Sequence, residues 1–169
     1  MSEDGLSRDQ WKSFAQLGWL GAGLDEARGG FGGGAIENAL IMEQAGRALV
    51  VEPLQSCAIV ALQALAAVPQ TPETEALIVA LISGELLVSL AHGEAEARGD
   101  RAWCATKAER VGPSWYLNGK KSLVLGGKAA DKLLVSATTR EGLALFLLDQ
   151  GAPGLERHDY RLIDNHRAS

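Results

Sequence analysis

The chain has 169 residues, a formal net charge of −5 and 47% apolar residues, enough hydrophobic material for a real core and too much for wholesale disorder. With no basic cluster and no basic stripe interleaved with aromatics, nucleic acid is excluded as a main partner. No apolar run reaches the roughly 18 residues of a membrane span, so no membrane partner is expected.

The N-terminus, Met1-Ser-Glu-Asp-Gly5, is polar and acidic, with no basic segment followed by an apolar one, so no secretory signal is read there and the cytoplasm is the default compartment. Ser7-Arg-Asp-Gln10 fits a capping box, and Trp11, Phe14, Ala15 and Leu17 follow at helical spacing, which predicts a helix over 7–17. Gly18 and Gly21 stop it. The glycine density between Gly21 and Gly34 predicts a loop. It carries no Lys-Ser/Thr and has no strand before it, so it is a turn between helices, not a phosphate cradle.

Ile36, Ala39, Leu40, Met42, Glu43, Ala45 and Gly46 form a second helix with small residues suited to close packing. Pro53 opens a third, with Leu54, Ala58, Val60, Ala61, Leu62 and Leu65 on a broad apolar face. Thr71-Pro72, an N-cap followed by proline at the first helical position, starts a fourth that runs to about Ile82. Ser83-Gly84 ends it.

After Gly84 the hydrophobic period moves from 3.6 towards 2. Strands are expected at 86–91, 102–110, 114–118, 120–125, 131–137, 143–149 and 154–158. Helices first and strands second make an α+β chain, with helical residues 1–84 and a β-domain over 85–169. Cys57 and Cys104 sit in unrelated contexts, and with His92, His158 and His166 scattered there is no metal-ligand spacing; two buried thiols and no metal are expected.

Two loops are unusual. They read Leu90-Ala-His-Gly-Glu-Ala-Glu-Ala-Arg-Gly-Asp100 and Leu117-Asn-Gly-Lys-Lys-Ser-Leu-Val-Leu-Gly-Gly127, followed by Ala130-Asp131. Their order and spacing resemble the middle domain of the acyl-CoA dehydrogenases, in which a Thr-Glu-Pro-x-x-Gly-Ser-Asp-like loop precedes Leu-Asn-Gly-x-Lys and a Trp/Phe-Ile-Thr-Asn-like strand. Upstream, Leu17-Gly-Trp-Leu-Gly21, Asp25-Glu26, Gly29-Gly-Phe-Gly32, Met42-Glu43 and Ala45-Gly46-Arg47 resemble that family's helical domain. One such motif would be weak evidence; several in the right order reach across nearly the whole chain.

The resemblance implies an N-terminal helical domain, without the family's usual first helix, followed by an antiparallel β-barrel-like middle domain that is incomplete. It implies FAD as cofactor and an acyl-CoA as substrate, oxidised between Cα and Cβ. A flavin electron-acceptor protein and a homo- or hetero-oligomer are the implied partners. Leu90, Ala91, His92 and Gly93 would cross the pyrimidine side of the flavin, and Leu123, Val124 and Leu125 would lie along the ring near N5. Arg98 and Gly99 stand where the family has a Gly-Ser pair that meets the CoA part, and Glu43 near the base of the acyl pocket.

This chain departs from the family pattern at several of these places. Gly93 and Leu125 replace threonines, Gly126 an asparagine, Ala95 a proline and Leu123 an aromatic residue. Leu125 offers only apolar contact, whereas Gly93 keeps its N–H. Arg98 is either a phosphate contact, for which a guanidinium fork is suited, or an exposed arginine after a turn. Glu43 is either a pocket residue or a solvated, helix-pairing glutamate.

Glu94 is read as structural, accepting backbone N–H bonds that hold its loop. His92, with no carboxylate partner in view, is read as a satisfied or exposed strand histidine. No catalytic residue is assigned, because in the family the carboxylate base belongs to a C-terminal helical bundle, and Asn165-His-Arg-Ala-Ser169 falls part-way through the β-domain.

The function expected is therefore a portion of an FAD-dependent acyl-CoA dehydrogenase, inactive by itself. The alternative is a non-catalytic partner-type subunit or assembly module of a heteromeric enzyme. A third reading is an unrelated α+β domain with accidental motif matches.

Overall fold

The computed structural model describes residues 6–169. Besides two single-turn 3-10 helices (Trp19–Gly21 and Glu26–Arg28), four helical segments precede the strands: α1 (Arg8–Gln16), α2 (Ala35–Arg47), a π-helical stretch over Leu54–Ala61 that runs on as α3 (Leu62–Ala67), and α4 (Pro72–Ile82). The caps explain the boundaries. Ser7 Oγ accepts from the Gln10 N–H, but the Ser7 N–H turns to Glu52 Oε1 at 3.4 Å, so only one arm of the expected capping box is made. Gly18, at φ +78°, ends the first helical run. Thr71 accepts from the Thr74 N–H, and the Thr74 hydroxyl accepts from the Thr71 N–H, a reciprocal cap that fixes the start of α4.

The strands are β1 (Val88–Ala91), β2 (Lys107–Val111), β3 (Ser114–Asn118), β4 (Lys132–Thr139), β5 (Gly142–Asp149) and the short hairpin β6 (Tyr160–Arg161) with β7 (Arg167–Ala168). β4 is central. β5 pairs antiparallel along its whole length, from Lys132↔Asp149 to Thr139↔Gly142. On its other edge β1 runs parallel to it, from Val88↔Lys132 to Ala91↔Val135, and beyond that β2 touches it in parallel at Lys107↔Thr138. The β2–β3 hairpin completes the sheet.

The α+β segregation is therefore present, but the antiparallel barrel is not: the sheet is mixed and open. The reason lies in the connection. Some 40 residues separate β1 from β4, and such a crossover lets the two run in the same direction, which a tight turn would forbid.

Two expected strands are absent. Over 120–125 the backbone is irregular, with Leu123 at φ +54°, and only Leu125 forms an isolated bridge, to Ala168. Over 154–158 no strand forms, and Gly154 turns at φ +80°. The expected strand over 102–110 begins only at Lys107, and the third helix departs from α geometry over its first eight residues.

The core has three parts. Trp11, Phe14 and Leu20 pack with Leu54, Cys57 and Leu87; α3 and α4 pack on the sheet through Leu62, Leu65, Ile78, Leu81, Val88 and Leu134; Ala91, Val124, Leu133 and Val135 close the other side. Arg8 ties the two halves together. Its guanidinium forks onto Asp131 at 3.0 and 2.7 Å and reaches the Ala129 carbonyl, while Asp131 Oδ2 also accepts from the Leu87 N–H at 2.8 Å. The turn over 126–130 is thereby held against α1.

Candidate functional site

β1 and the irregular strand after Gly119 run side by side. Ser122 donates its N–H to the Gly93 carbonyl at 2.8 Å, and Ser89 Oγ donates to the Leu125 carbonyl at 2.5 Å. The structure thus brings together the two segments on which the sequence places the cofactor contacts, Leu90 to Gly93 and Leu123 to Leu125. Ala91 and Val124 are buried in the core beneath, and Leu90 is half-buried against the helices. The Gly93 N–H makes no hydrogen bond among the described residues and lies on an exposed position, so it remains a donor for a ligand.

Leu123 and Leu125 do not share a face as strand alternation would require. Leu123 is 57% exposed at its positive φ, whereas Leu125 turns into a cleft.

That cleft, about 210 Å³, lies between α2, the start of the π-helical segment and the turn at Gly126. Its wall is apolar and in part small: Leu6, Met42, Ala45, Gly46, Leu54 and Leu125. Its rim is polar, with Glu52, Asp164, His166 and Arg167. Gly126 sits where a Cβ would meet Pro53 Cβ and Ser56 Oγ at 2.9 Å each, so the missing side chain is what lets the turn approach the helix.

Glu43 does not line the cleft. It is exposed on α2, 3.9 Å from Arg47, which is the helix-pairing alternative; its neighbours Met42, Ala45 and Gly46 line the cleft instead. Arg98 and Gly99 form an exposed left-handed turn at φ +48° and +90° and do not line the cleft.

Behind the loop over 90–99 is a buried polar knot that supports it. Glu94, its side chain 2% exposed, accepts from the Ala105 N–H at 2.8 Å, the Thr106 N–H at 3.0 Å, the Thr106 hydroxyl at 2.6 Å and the Lys121 ammonium at 2.7 Å. Lys121, 9% exposed, also donates to Ser136 Oγ at 3.0 Å and the His92 carbonyl at 3.3 Å.

Burial by itself raises the Glu94 pKa; the Lys121 ammonium, the Thr106 hydroxyl and the two N–H groups outweigh it and bring it from 4.5 down to about 2. Glu94 is a structural anion, as its place in the loop suggested. His92 is satisfied at both ring nitrogens, by Ser136 Oγ and the Arg101 carbonyl at 2.8 Å each. Cys57 is fully buried, and that burial pushes its thiol up to about 12, so it stays a core residue.

Sequence reasoning missed Lys121, Thr106, Ser136 and Cys104 as partners of this knot. The one available signal was the lysine that closes Leu117-Asn-Gly-Lys-Lys121. It missed the cleft wall for a different reason, since Met42, Ala45 and Leu54 look like ordinary helix packing. No cluster of His, Cys, Asp and Glu fit to hold a metal ion occurs among the described residues, and no described helix is long and apolar enough to cross a membrane.

The family model for the acyl-CoA dehydrogenase N-terminal domain matches residues 1–85. Mitochondrial isovaleryl-CoA dehydrogenase of Pongo abelii is 33% identical over 156 residues, which take in 87% of this chain and 37% of that protein. Cyclohex-1-ene-1-carbonyl-CoA dehydrogenase of Geobacter metallireducens is 32% identical, over 84% of this chain and 39% of its own length. Among solved structures, a variant of the Tcur3481-Tcur3483 steroid ACAD superposes with a TM-score of 0.85 at 32% identity, covering 99% of this chain and 46% of that one. The ChsE4-ChsE5 complex from Mycobacterium tuberculosis gives 0.78 at 26%, covering 97% and 45%. The chain thus spans less than half the length of each, between 37% and 46%.

Proposed function

Because the chain belongs to the acyl-CoA dehydrogenase family, we propose that it is the helical and middle portion of an FAD-dependent enzyme that desaturates an acyl-CoA thioester between Cα and Cβ. The observation that carries this reading is the apolar cleft bounded by Leu125 and Gly126, the residues that follow Leu-Asn-Gly-x-Lys. The acyl group would lie against Met42, Ala45, Gly46 and Leu54. A bound FAD would supply the acceptor for the hydride leaving Cβ.

The chain's own residues fit one side of that cofactor and leave another bare. The Gly93 N–H is a free donor suited to a ring that gains negative charge as it is reduced, and Leu90 to His92 with Leu123 to Leu125 form its backing. Leu125 and Gly126 supply no side-chain donor. The carboxylates nearest the cleft and the loop are committed elsewhere and do not offer a base for the Cα proton: Glu94 is saturated, Glu43 faces solvent beside Arg47, Glu52 holds the Ser7 N–H and Asp164 is bonded to His166.

Purified alone, the chain is therefore expected neither to hold FAD stoichiometrically nor to reduce an artificial electron acceptor with an acyl-CoA. A yellow, active preparation would overturn this. The cleft itself is tested by Gly46→Leu. Gly46 lines the cleft from an exposed position where an added Cβ meets nothing within 4 Å, so the helix has room for a leucine that narrows the cleft mouth. Acyl-CoA affinity, measured with the portion or subunit that completes the enzyme, should drop about tenfold, the effect of about 1.4 kcal/mol, with free CoA unaffected. Equal affinities would sink the assignment.

Two observations favour the partner-type subunit as a second reading. Leu125 and Gly126 lack flavin donors, and the structural relatives named above are two-chain assemblies. Another chain would then carry the base, with this one contributing walls and interface. In that assembly Leu125→Thr should strengthen flavin binding by about 0.5–1.5 kcal/mol, the net worth of one hydrogen bond. Unchanged flavin affinity with lowered stability would make Leu125 a wall residue only.

The small wall residues Ala45, Gly46, Ser56, Gly126 and Ala129 suit a broad, ring-bearing acyl group better than a slim chain, in keeping with the ring named in the steroid and cyclohexene relatives. A cytoplasmic location and an electron-acceptor protein complete the proposal.

A further inference from the structure

The polar knot behind the 90–99 loop contains a contact that its structural role does not use. Lys121 Nζ lies 3.5 Å from Cys104 Sγ. Both groups are confined: the lysine is 9% exposed, and the sulfur is bracketed by the Ser136 carbonyl at 3.5 Å, the Ser136 hydroxyl at 3.8 Å and the Thr106 carbonyl at 3.7 Å. Cys104 is half-buried, so a small oxidant reaches it, whereas Cys57 is sealed in the core. No second thiol accompanies Cys104 in the knot. The nucleophile within reach of an oxidised Cys104 is an amine.

We infer that Cys104 and Lys121 form a peroxide-driven covalent cross-link, a sulfenamide between Sγ and Nζ, that neutralises the cation holding Glu94. The step balances with one peroxide. The peroxide takes two electrons from the sulfur, converting the thiol to a sulfenic acid and releasing one water. The Lys121 ammonium passes one proton to Glu94 Oε1, 2.7 Å away. The freed amine attacks sulfur, the S–N bond forms as the S–O bond breaks, and a second water leaves, made of the displaced hydroxyl and one of the two amine protons, the other staying on nitrogen. The lysine's flexible stem covers the remaining separation.

The consequence falls on the loop. The proton passes on from Glu94 to solvent, and the carboxylate is left without its counter-ion, held only by the Ala105 and Thr106 N–H groups and the Thr106 hydroxyl. The segment that carries the free Gly93 donor is loosened, and a thiol reductant restores it.

The test uses the purified chain and hydrogen peroxide, with peptide mass mapping and amide hydrogen exchange as readouts. The expected product is two hydrogens lighter than the starting chain, resists trypsin after Lys121, joins the Cys104 and Lys121 peptides and reverts with dithiothreitol. Exchange at the Ala105 and Thr106 amides should rise severalfold on oxidation. Cys104→Ser, which leaves the Lys121–Glu94 pair in place, should show neither change, and Lys121→Arg should stop at the sulfenic acid. Oxidation that adds oxygen to Cys104 while trypsin still cleaves at Lys121 would overturn the inference, as would a chain that peroxide leaves unchanged. Both readouts are independent of flavin and substrate, so a failure of the proposed function would not be mistaken for a failure here.

Discussion

Lys121→Met should destabilise the chain by about 3–5 kcal/mol, the effect of leaving a buried carboxylate without its counter-ion. With the ammonium gone, Glu94, 2% exposed, keeps only the N–H groups of Ala105 and Thr106 and the Thr106 hydroxyl. Against a total stability of about 5–15 kcal/mol for a domain, that loss is large enough to read in a chemical-denaturation curve. The double variant Lys121→Met with Glu94→Leu should recover much of it, because a buried pair replaced by apolar residues of similar volume is often neutral. A single variant as stable as the parent would show that the carboxylate is held without the lysine.

The same knot fixes the acid response. The Glu94 carboxyl ionises with a pKa of about 2 in the folded chain against 4.5 ordinarily. Because the folded value is the lower one, the stabilisation is complete above about pH 4.5 and is lost as pH falls through about 2, a difference of about 3 kcal/mol. Glu94→Gln should flatten the stability curve across that window. In Lys121→Met the loss should begin at higher pH, since the strongest of the opposing charges is gone.

Legibility in the sequence followed the range of the forces. The helix starts were readable because caps act over three or four residues: Ser7 with Gln10, and Thr71 with Pro72, appear where their local patterns place them. Glu94 was readable as a loop anchor for the same reason, but its partners were not, since Thr106 and Lys121 stand 12 and 27 residues away. The barrel expectation failed on a non-local matter, whether β1 meets β4 in parallel or antiparallel fashion, which alternation within a strand does not encode. The strand expected over 120–125 shows the limit of periodicity: Leu123 and Leu125 alternate in sequence, yet a positive φ at Leu123 sends them to different environments. The cleft went unread because its wall residues are also good core residues, and only the folded chain leaves them uncovered.

Gly126→Asn, which would restore the family's residue at this position, should destabilise the chain by about 1–3 kcal/mol, the range for forcing extra atoms into a packed site. Backbone conformation is not the obstacle. Gly126 sits at φ +71°, a left-handed position that asparagine tolerates better than most residues. The obstacle is the helix in front of it, since an added Cβ meets Pro53 Cβ and Ser56 Oγ at 2.9 Å, closer than carbon contacts normally approach. Neither neighbour retreats easily: Pro53 is a ring at the entry of the π-helical segment, and Ser56 is buried and bonded to the Pro53 carbonyl at 3.4 Å. The asparagine amide would then be driven into the cleft, so the proposed acyl-CoA binding should weaken together with stability. Ser56→Gly in the Gly126→Asn background removes one of the two clashing atoms and should restore part of both. Denaturation midpoints and acyl-CoA affinities of the two variants decide the matter: a Gly126→Asn chain as stable as the parent would mean that the turn has room to move away from the helix, and that glycine is not what sets the distance between the turn and the π-helical segment.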